Sequence, residues 1–128
     1  MLKKAALATG IVFLIIGIAG FIPGLTNESQ LLGIFRVDGV HNLVHIVSGL
    51  AFIAASQKAK WSRLAFQSMA VVYALVTVIG FIVGTDNTVL GLFHVDQADN
   101  FLHLVLTAAF LYFGFAYPDN DRAKAVAA

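Results

Sequence analysis

The segment VDGVHNLVHIVSG, residues 37–49, places an acid, an Asn and two His residues at the start of a run that is otherwise apolar enough to lie in a membrane. A related segment, VDQADNFLHLVLT, occupies residues 95–107, 58 positions later and without a gap. Three polar positions agree between the segments, namely Asp38 with Asp96, Asn42 with Asn100, and His45 with His103. The repetition predicts two copies of one structural unit, a helix followed by a loop and a second helix.

The composition predicts that lipid rather than water surrounds most of the chain. Hydrophobic residues make up 59% of the 128 residues, charged residues make up 12%, and the mean hydropathy is +0.87. A soluble domain carries about a quarter charged residues. The lack of cysteine excludes disulfides, thiolate metal sites and cysteine nucleophiles. A net charge of +1 argues against a nucleic-acid partner.

Four apolar runs predict an all-α integral membrane protein with four transmembrane helices in a single domain, residues 1–128. The runs are Ala5–Phe21, ended by Pro23 and Gly24, then Gly39–Ala55, Leu64–Val83 and Gln97–Tyr117. The second run is near the minimum of about 17 residues for a span. The first repeat then covers about residues 5–56 and the second about residues 63–117. Because each repeat contains two spans, the copies have the same orientation and are related by pseudo-symmetry about an axis along the membrane normal.

The basic residues predict which way the chain crosses the membrane. Arg36 lies alone on one side, whereas the other seven basic residues lie at the termini or in the middle loop. These seven are Lys3, Lys4, Lys58, Lys60, Arg63, Arg122 and Lys124. The positive-inside rule therefore predicts that both termini are cytoplasmic. The two repeated segments then open the second and fourth helices at the outer leaflet.

The polar residues of each repeated segment form one stripe along a helix. At 100° per residue, a ~100° arc holds the polar side chains of each segment. The stripes consist of His41, Asn42, His45 and Gly49 on the second helix and of Asp99, Asn100, His103 and Thr107 on the fourth. An unsatisfied polar group facing lipid costs several kcal/mol, so we expect both stripes to face inward. Asp38 and Asp96 are placed to cap the two helices.

One hypothesis gives these residues a structural role that requires no cofactor. Asn and His side chains can form hydrogen bonds across membrane helices and so join the two repeats. The predicted polar core consists of Asp38, Asn42, His45, Asp96, Asn100 and His103. Small residues at a helix interface let two backbones approach closely. The predicted packing glycines are Gly20, Gly24, Gly49, Gly80 and Gly84.

A second hypothesis makes the same region a ligand site. Three imidazoles and a carboxylate, from His41, His45, His103 and Asp99, have the chemistry to hold a divalent metal. A haem between His45 and His103 is another option, since the two residues lie at one depth on different helices. A proton or quinone site at the same pair is a third. Against a metal, the second copy has Asp99 where the first has His41.

The chain resembles an uncharacterised bacterial membrane family described as domain of unknown function 4383. The resemblance is carried by LGIFRVDGVHNLVHIVSG, residues 32–49, and by VDQADNFLHLV, residues 95–105, and it covers nearly the whole chain. It implies four spans in a bacterial inner membrane and no established activity. The family's motif positions fall on Asp38, His41, Asn42, His45, Gly49, Asp96, Asn100 and His103. Thr107 departs from the glycine at position 49, so a less close helix approach is expected in the second repeat.

The sequence therefore favours a non-enzymatic membrane protein, either a scaffold or an accessory subunit of a membrane assembly. A phosphate-binding glycine loop and a Ser/His/acid arrangement are both missing from the sequence. The expected partners are the lipid bilayer and either further copies of the chain or a larger membrane complex. The alternative is a haem- or metal-binding protein that uses the paired His residues near the outer leaflet.

Overall fold

The computed structural model describes residues 1–85 and 87–118, and within them the chain is mostly helical. The helices are α1 (Leu2–Ala19), α2 (Gly39–Ala55), α3 (Ala59–Val83) and α4 (Gln97–Leu111), and a π-helical turn, Tyr112–Ala116, continues α4. The strands are β1 (Thr26–Asn27), β2 (Gln30–Leu31), β3 (Phe35–Arg36), β4 (Asn87–Val89) and β5 (Phe93–Val95). Arg122 and Lys124, used above to predict the orientation, lie outside the described residues.

Three helical segments of the described chain are long and apolar enough to cross a membrane, Leu2–Ala19, Ala59–Val83 and Gln97–Ala116. The shorter α2 begins and ends where the sequence predicted. Other boundaries differ, since α1 begins at Leu2 rather than at Ala5 and the π-helical turn after α4 ends at Ala116 rather than at Tyr117. Helix α1 ends at Ala19, before Pro23, and α3 begins at Ala59 rather than at Leu64. The early start arises because polar helix formers such as Lys60 continue the helix beyond the apolar run.

Both loops on the motif side contain short antiparallel strands, which the all-α prediction missed. Strands β1, β2 and β3 form one sheet, with Thr26 opposite Leu31, and β4 and β5 form a hairpin with Thr88 opposite His94. The chain turns through two Leu-Gly pairs with positive φ. They are Leu32 (54°) with Gly33 (70°), and Leu90 (52°) with Gly91 (71°). Leucine rarely adopts this conformation, so the turns could not be predicted from residue preferences.

The helices pack as two pairs around a shared aromatic core. Helix α1 packs mainly against α2, and α3 mainly against α4. Between the pairs, the Phe13 and Tyr73 rings stack with centroids 5.8 Å apart, and both rings contact Phe110 edge-on. Phe52 and Phe66 complete the buried centre. The core therefore joins the pairs below the level of the polar motifs.

Helices α1 and α2 approach each other closely at Gly10 and Gly49. A Cβ built on Gly49 would lie 2.8 Å from the Gly10 carbonyl oxygen and 2.8 Å from the Leu14 nitrogen. In the second helix pair, Thr107 occupies the matching position, and its hydroxyl lies 3.3 Å from that of Thr77. Helices α3 and α4 therefore make contact at this position through the hydroxyls of Thr77 and Thr107 rather than through their backbones.

We expect Gly49→Ala to destabilise the protein by roughly 2 kcal/mol, because overpacking a tight contact forces a backbone shift. Unfolding in mixed micelles of mild and denaturing detergent measures this change. Gly39→Ala, at the first residue of the same helix, is the matched control, since a Cβ there meets no atom within 4 Å. An equal loss of stability in both variants would contradict the close approach at Gly49.

Candidate metal centre

Three buried histidines converge at the motif end of the helices. His41 and His45 lie one turn apart on α2, and His103 comes from α4. One ring nitrogen of each lies within 4.8 Å of the other two. The ring centroid of His41 is 5.0 Å from that of His45 and 5.9 Å from that of His103. We call these three residues the histidine trio.

Asp99, the fourth predicted ligand, is not part of this convergence. Its carboxylate accepts a hydrogen bond from the backbone N–H of Asp96 (3.0 Å), and its own N–H donates to the Asp96 carboxylate (2.9 Å). The two residues thus form a capping box at the start of α4. The Asp96 cap was predicted from the sequence, but the reciprocal bond from Asp99 was not, although the two acids lie three residues apart.

The hydrogen bonding of the histidine trio leaves ring nitrogens available. The Nδ1 of His41 lies 3.1 Å from the Arg36 carbonyl oxygen. A carbonyl only accepts, so Nδ1 is the protonated nitrogen and the neutral ring keeps a lone pair on Nε2. The Nδ1 atoms of His45 and His103 are buried and lack a partner among the described residues. Buried polar atoms without partners are uncommon and call for an explanation.

Two aromatic rings hold the trio from the core side. Phe13 contacts the His45 ring edge-on at 5.3 Å, and Tyr73 contacts the His103 ring in the same way at 5.4 Å. Phe93 packs against the third ring, that of His41, at 5.1 Å. Packing therefore positions all three imidazoles, and that of His41 is also held by its hydrogen bond to the Arg36 carbonyl.

A cavity of about 230 Å³, which was not predicted from the sequence, adjoins the trio. It lies between α1, α4 and the turn from β2 to β3, and apart from the trio and Asp99 its lining is apolar. Val12 and Leu32 lie at its edge and are 51% and 65% exposed. The cavity therefore opens onto the apolar outer surface of the helices.

The two motif loops are joined by a pair of reciprocal hydrogen bonds, here called the crossed aspartate bridge. Besides capping α2 through the His41 N–H (2.8 Å), Asp38 accepts from the His94 N–H (2.7 Å). Besides capping α4, Asp96 accepts from the Arg36 N–H (3.0 Å). Burial raises the pKa of Asp38, but the hydrogen bonds from His41 and His94 outweigh it, so this pKa lies below its usual value.

The asparagines contact glycines of their own helix pair, rather than each other. A Cβ on Gly20 would collide with the Asn42 amide, and a Cβ on Gly80 would collide with that of Asn100. Among the described residues no hydrogen bond joins Asn42 to Asn100, and the Oδ1 atom of each is unpaired. The expected Asn pair across the repeats is therefore corrected: aspartates make that connection, because backbone donors of the opposite loop lie closer.

The five predicted packing glycines occupy two kinds of position. Gly20, Gly49 and Gly80 lie where a side chain would meet the neighbouring helix. Gly24 and Gly84 do not fit the prediction, since a Cβ at either would meet no atom within 4 Å. Both have positive φ, 93° and 78°, so they serve the turns that follow the helices.

Comparison with known proteins gives a family without an assigned activity. Residues 3–116 match the family model described as Domain of unknown function (DUF4383). No curated protein and no solved structure matches the chain. The match covers α1 to the π-helical turn and includes the histidine trio and the crossed aspartate bridge. The chain therefore belongs to the DUF4383 family.

Proposed function

We propose that this protein binds one divalent transition-metal ion in a membrane, through His41, His45 and His103. The observation that carries the proposal is the convergence of one ring nitrogen from each of three buried histidines within 4.8 Å, together with the unpaired Nδ1 atoms of His45 and His103. Neutral imidazole is the commonest metal ligand in proteins. The bond from His41 to the Arg36 carbonyl is the kind of support that orients metal-binding histidines. No catalysis forms part of the proposal.

The donor set favours zinc among the biological metals. Three imidazoles with an open fourth position are a ligand set typical of Zn²⁺, at Zn–N distances of about 2.0–2.1 Å. Tetrahedral geometry at that bond length requires ring nitrogens ~3.4 Å apart. The trio, within 4.8 Å, reaches this by small ring rotations. A haem is disfavoured, because the His41 ring occupies space beside His45 and His103 that a flat macrocycle would need.

The proposal places the site near the outer leaflet of a bacterial inner membrane, with cytoplasmic termini and α2 as a fourth span. At 1.5 Å per residue, the 17 residues of α2 extend ~26 Å, close to the hydrocarbon thickness of ~30 Å. Two parallel pseudo-symmetric repeats are supported by the crossed aspartate bridge, whose donors and acceptors recur at the 58-residue offset. The Gly20–Asn42 and Gly80–Asn100 contacts also recur.

Metal titration of the purified protein tests the proposal. After treatment with a chelator, the protein in mild detergent is expected to bind one equivalent of Zn²⁺, and Co²⁺ at the same site should give the visible bands of a tetrahedral complex. His94→Gln removes the histidine outside the trio and should leave both results unchanged. Absence of stoichiometric binding, or its loss in His94→Gln, would rule out the proposed site.

A scaffold or accessory-subunit role is the second candidate. The crossed aspartate bridge and the Asn–Gly contacts favour this role, because Asp38, Asp96, Asn42 and Asn100 all make contacts between segments of the protein. This role predicts that the protein co-purifies with larger partners from native membranes in mild detergent. Recovery of single chains or of homo-oligomers alone would count against a subunit role.

A further inference from the structure

The apolar loop residues that line the cavity beside the histidine trio have counterparts 58 positions later. These counterparts, Val89, Phe93 and Val95, are buried and pack against Val76 and Ile79 of α3. In the first loop, Leu31, Phe35 and Val37 line the cavity, although Leu31 and Val37 are themselves buried. The cavity thus lies where the first motif loop meets α1 and α4.

A second cavity extends the first along the groove between α1 and α4. It measures about 270 Å³, and it shares Val12, Phe13 and Leu106 with the cavity at the trio. At its far end it is lined by Phe113, ten residues beyond His103 along the chain and so ~15 Å farther at helical rise. Together the two form an apolar track with one polar end, which we call the α1–α4 groove.

The polar end of the groove suits an anionic head group. A divalent ion held by three neutral imidazoles would bring two positive charges into an apolar surrounding, where a buried charge is stable only when it is paired. The Asp99 carboxylate accepts a hydrogen bond in the capping box, and those of Asp38 and Asp96 accept hydrogen bonds in the crossed aspartate bridge. These bonds do not remove the charge of the carboxylates, but they occupy oxygens that could otherwise bind the metal. A fourth ligand can therefore enter from the apolar surface past Val12 and Leu32.

We infer that the α1–α4 groove binds a long-chain fatty acid, with its carboxylate on the metal held by the histidine trio and its alkyl chain along the groove. This inference rests on the proposed metal site. A carboxylate oxygen is an ordinary zinc ligand, and its negative charge is attracted to the bound cation. The apolar lining, the opening on the lipid-facing surface and the elongated shape all match an alkyl chain.

Palmitic acid binding to Zn²⁺-loaded and metal-stripped protein in detergent micelles tests the inference. We expect at least tenfold tighter binding to the loaded protein, no metal dependence for the alcohol of equal length, and a change in the Co²⁺ visible spectrum when the acid is added. Displacement of palmitate by a lysophospholipid would overturn the choice of a free carboxylate, whereas lack of displacement supports it.

Two neighbouring isoleucines on α1 give a matched pair of variants. Ile16 lines the cavity, and Ile15 is 61% exposed on the outer surface. Ile16→Trp should weaken palmitate binding at least tenfold and retain one equivalent of Zn²⁺, and Ile15→Trp should retain both. If Zn²⁺ does not bind to the unmodified protein, the metal proposal itself fails. If Zn²⁺ binds but palmitate binds independently of it and the Co²⁺ spectrum stays unchanged, only the fatty-acid inference fails.

Discussion

His103→Leu is expected to abolish metal binding and, at the same time, to stabilise the metal-free protein. The His103 ring is buried, and its Nδ1 atom has no hydrogen-bond partner among the described residues. An unsatisfied buried polar group costs about 1–3 kcal/mol, and leucine removes that cost while filling a similar volume. We expect a gain of about 1 kcal/mol for the metal-free variant, measured by unfolding in mixed micelles. The loss of a ligand should weaken Zn²⁺ binding by a factor on the order of 100 or more, ~2.8 kcal/mol.

His41→Leu gives the contrasting control on the other helix. It should also lose the metal, but it should destabilise the metal-free protein, because the Arg36 carbonyl then loses its donor. If these histidines have a purely structural role, both variants should be less stable than the metal-free wild-type protein. A destabilised His103→Leu variant, together with a wild-type protein that binds no metal, would therefore support the structural alternative.

Asp96→Ala is expected to produce the largest loss of stability among the motif residues, roughly 2–4 kcal/mol. The substitution removes the cap of α4 and the two carboxylate oxygens that accept from the Asp99 and Arg36 N–H groups. Asp96→Asn should lose less, because its single carbonyl oxygen still accepts one of these bonds. The measurement is the free energy of unfolding in mixed micelles, with Gly39→Ala as a neutral reference.

A double-mutant cycle with Asp38→Asn tests whether the bridge acts as one unit. Both crossed bonds hold the same two loops together, so the double variant should lose less than the sum of the single losses. Strict additivity within about 0.5 kcal/mol would show that the two bonds stabilise their loops independently.

The features predicted from sequence are those set by local spacing. The Asp38 and Asp96 caps follow from an acid placed just before an apolar run, and the bounds of α2 follow from the turn residues on either side. The approach of His45 and His103 follows from helical periodicity and equal depth. The family was likewise recognisable from the motif residues, as the match over residues 3–116 confirms.

What the sequence did not reveal depends on contacts between distant segments. The Arg36 and His94 N–H donors are backbone groups, which residue type does not reveal, and the His94 ring adds a side-chain contact, with its Nδ1 3.2 Å from the Asp38 carboxylate. Phe35 lines the cavity, whereas Phe93, the same residue type 58 positions later, packs in a buried apolar cluster. Residue type alone therefore could not predict the cavity. Asn42 contacts Gly20, and Asn100 contacts Gly80. The one sequence signal for these contacts is that a glycine recurs before each loop.

The crossed aspartate bridge has a consequence for what each half of the chain could do by itself. Each aspartate accepts a hydrogen bond from a backbone N–H of the opposite loop. An isolated half of the chain could therefore form these two bonds only by pairing with a second copy of itself. Such an interface is self-complementary, as in a two-fold homodimer. Both donors are main-chain N–H groups, and on one side the His94 ring adds a second contact, with its Nδ1 3.2 Å from the Asp38 carboxylate. The crossed bonds thus join the two halves of the chain in the way that a two-fold interface joins two separate chains.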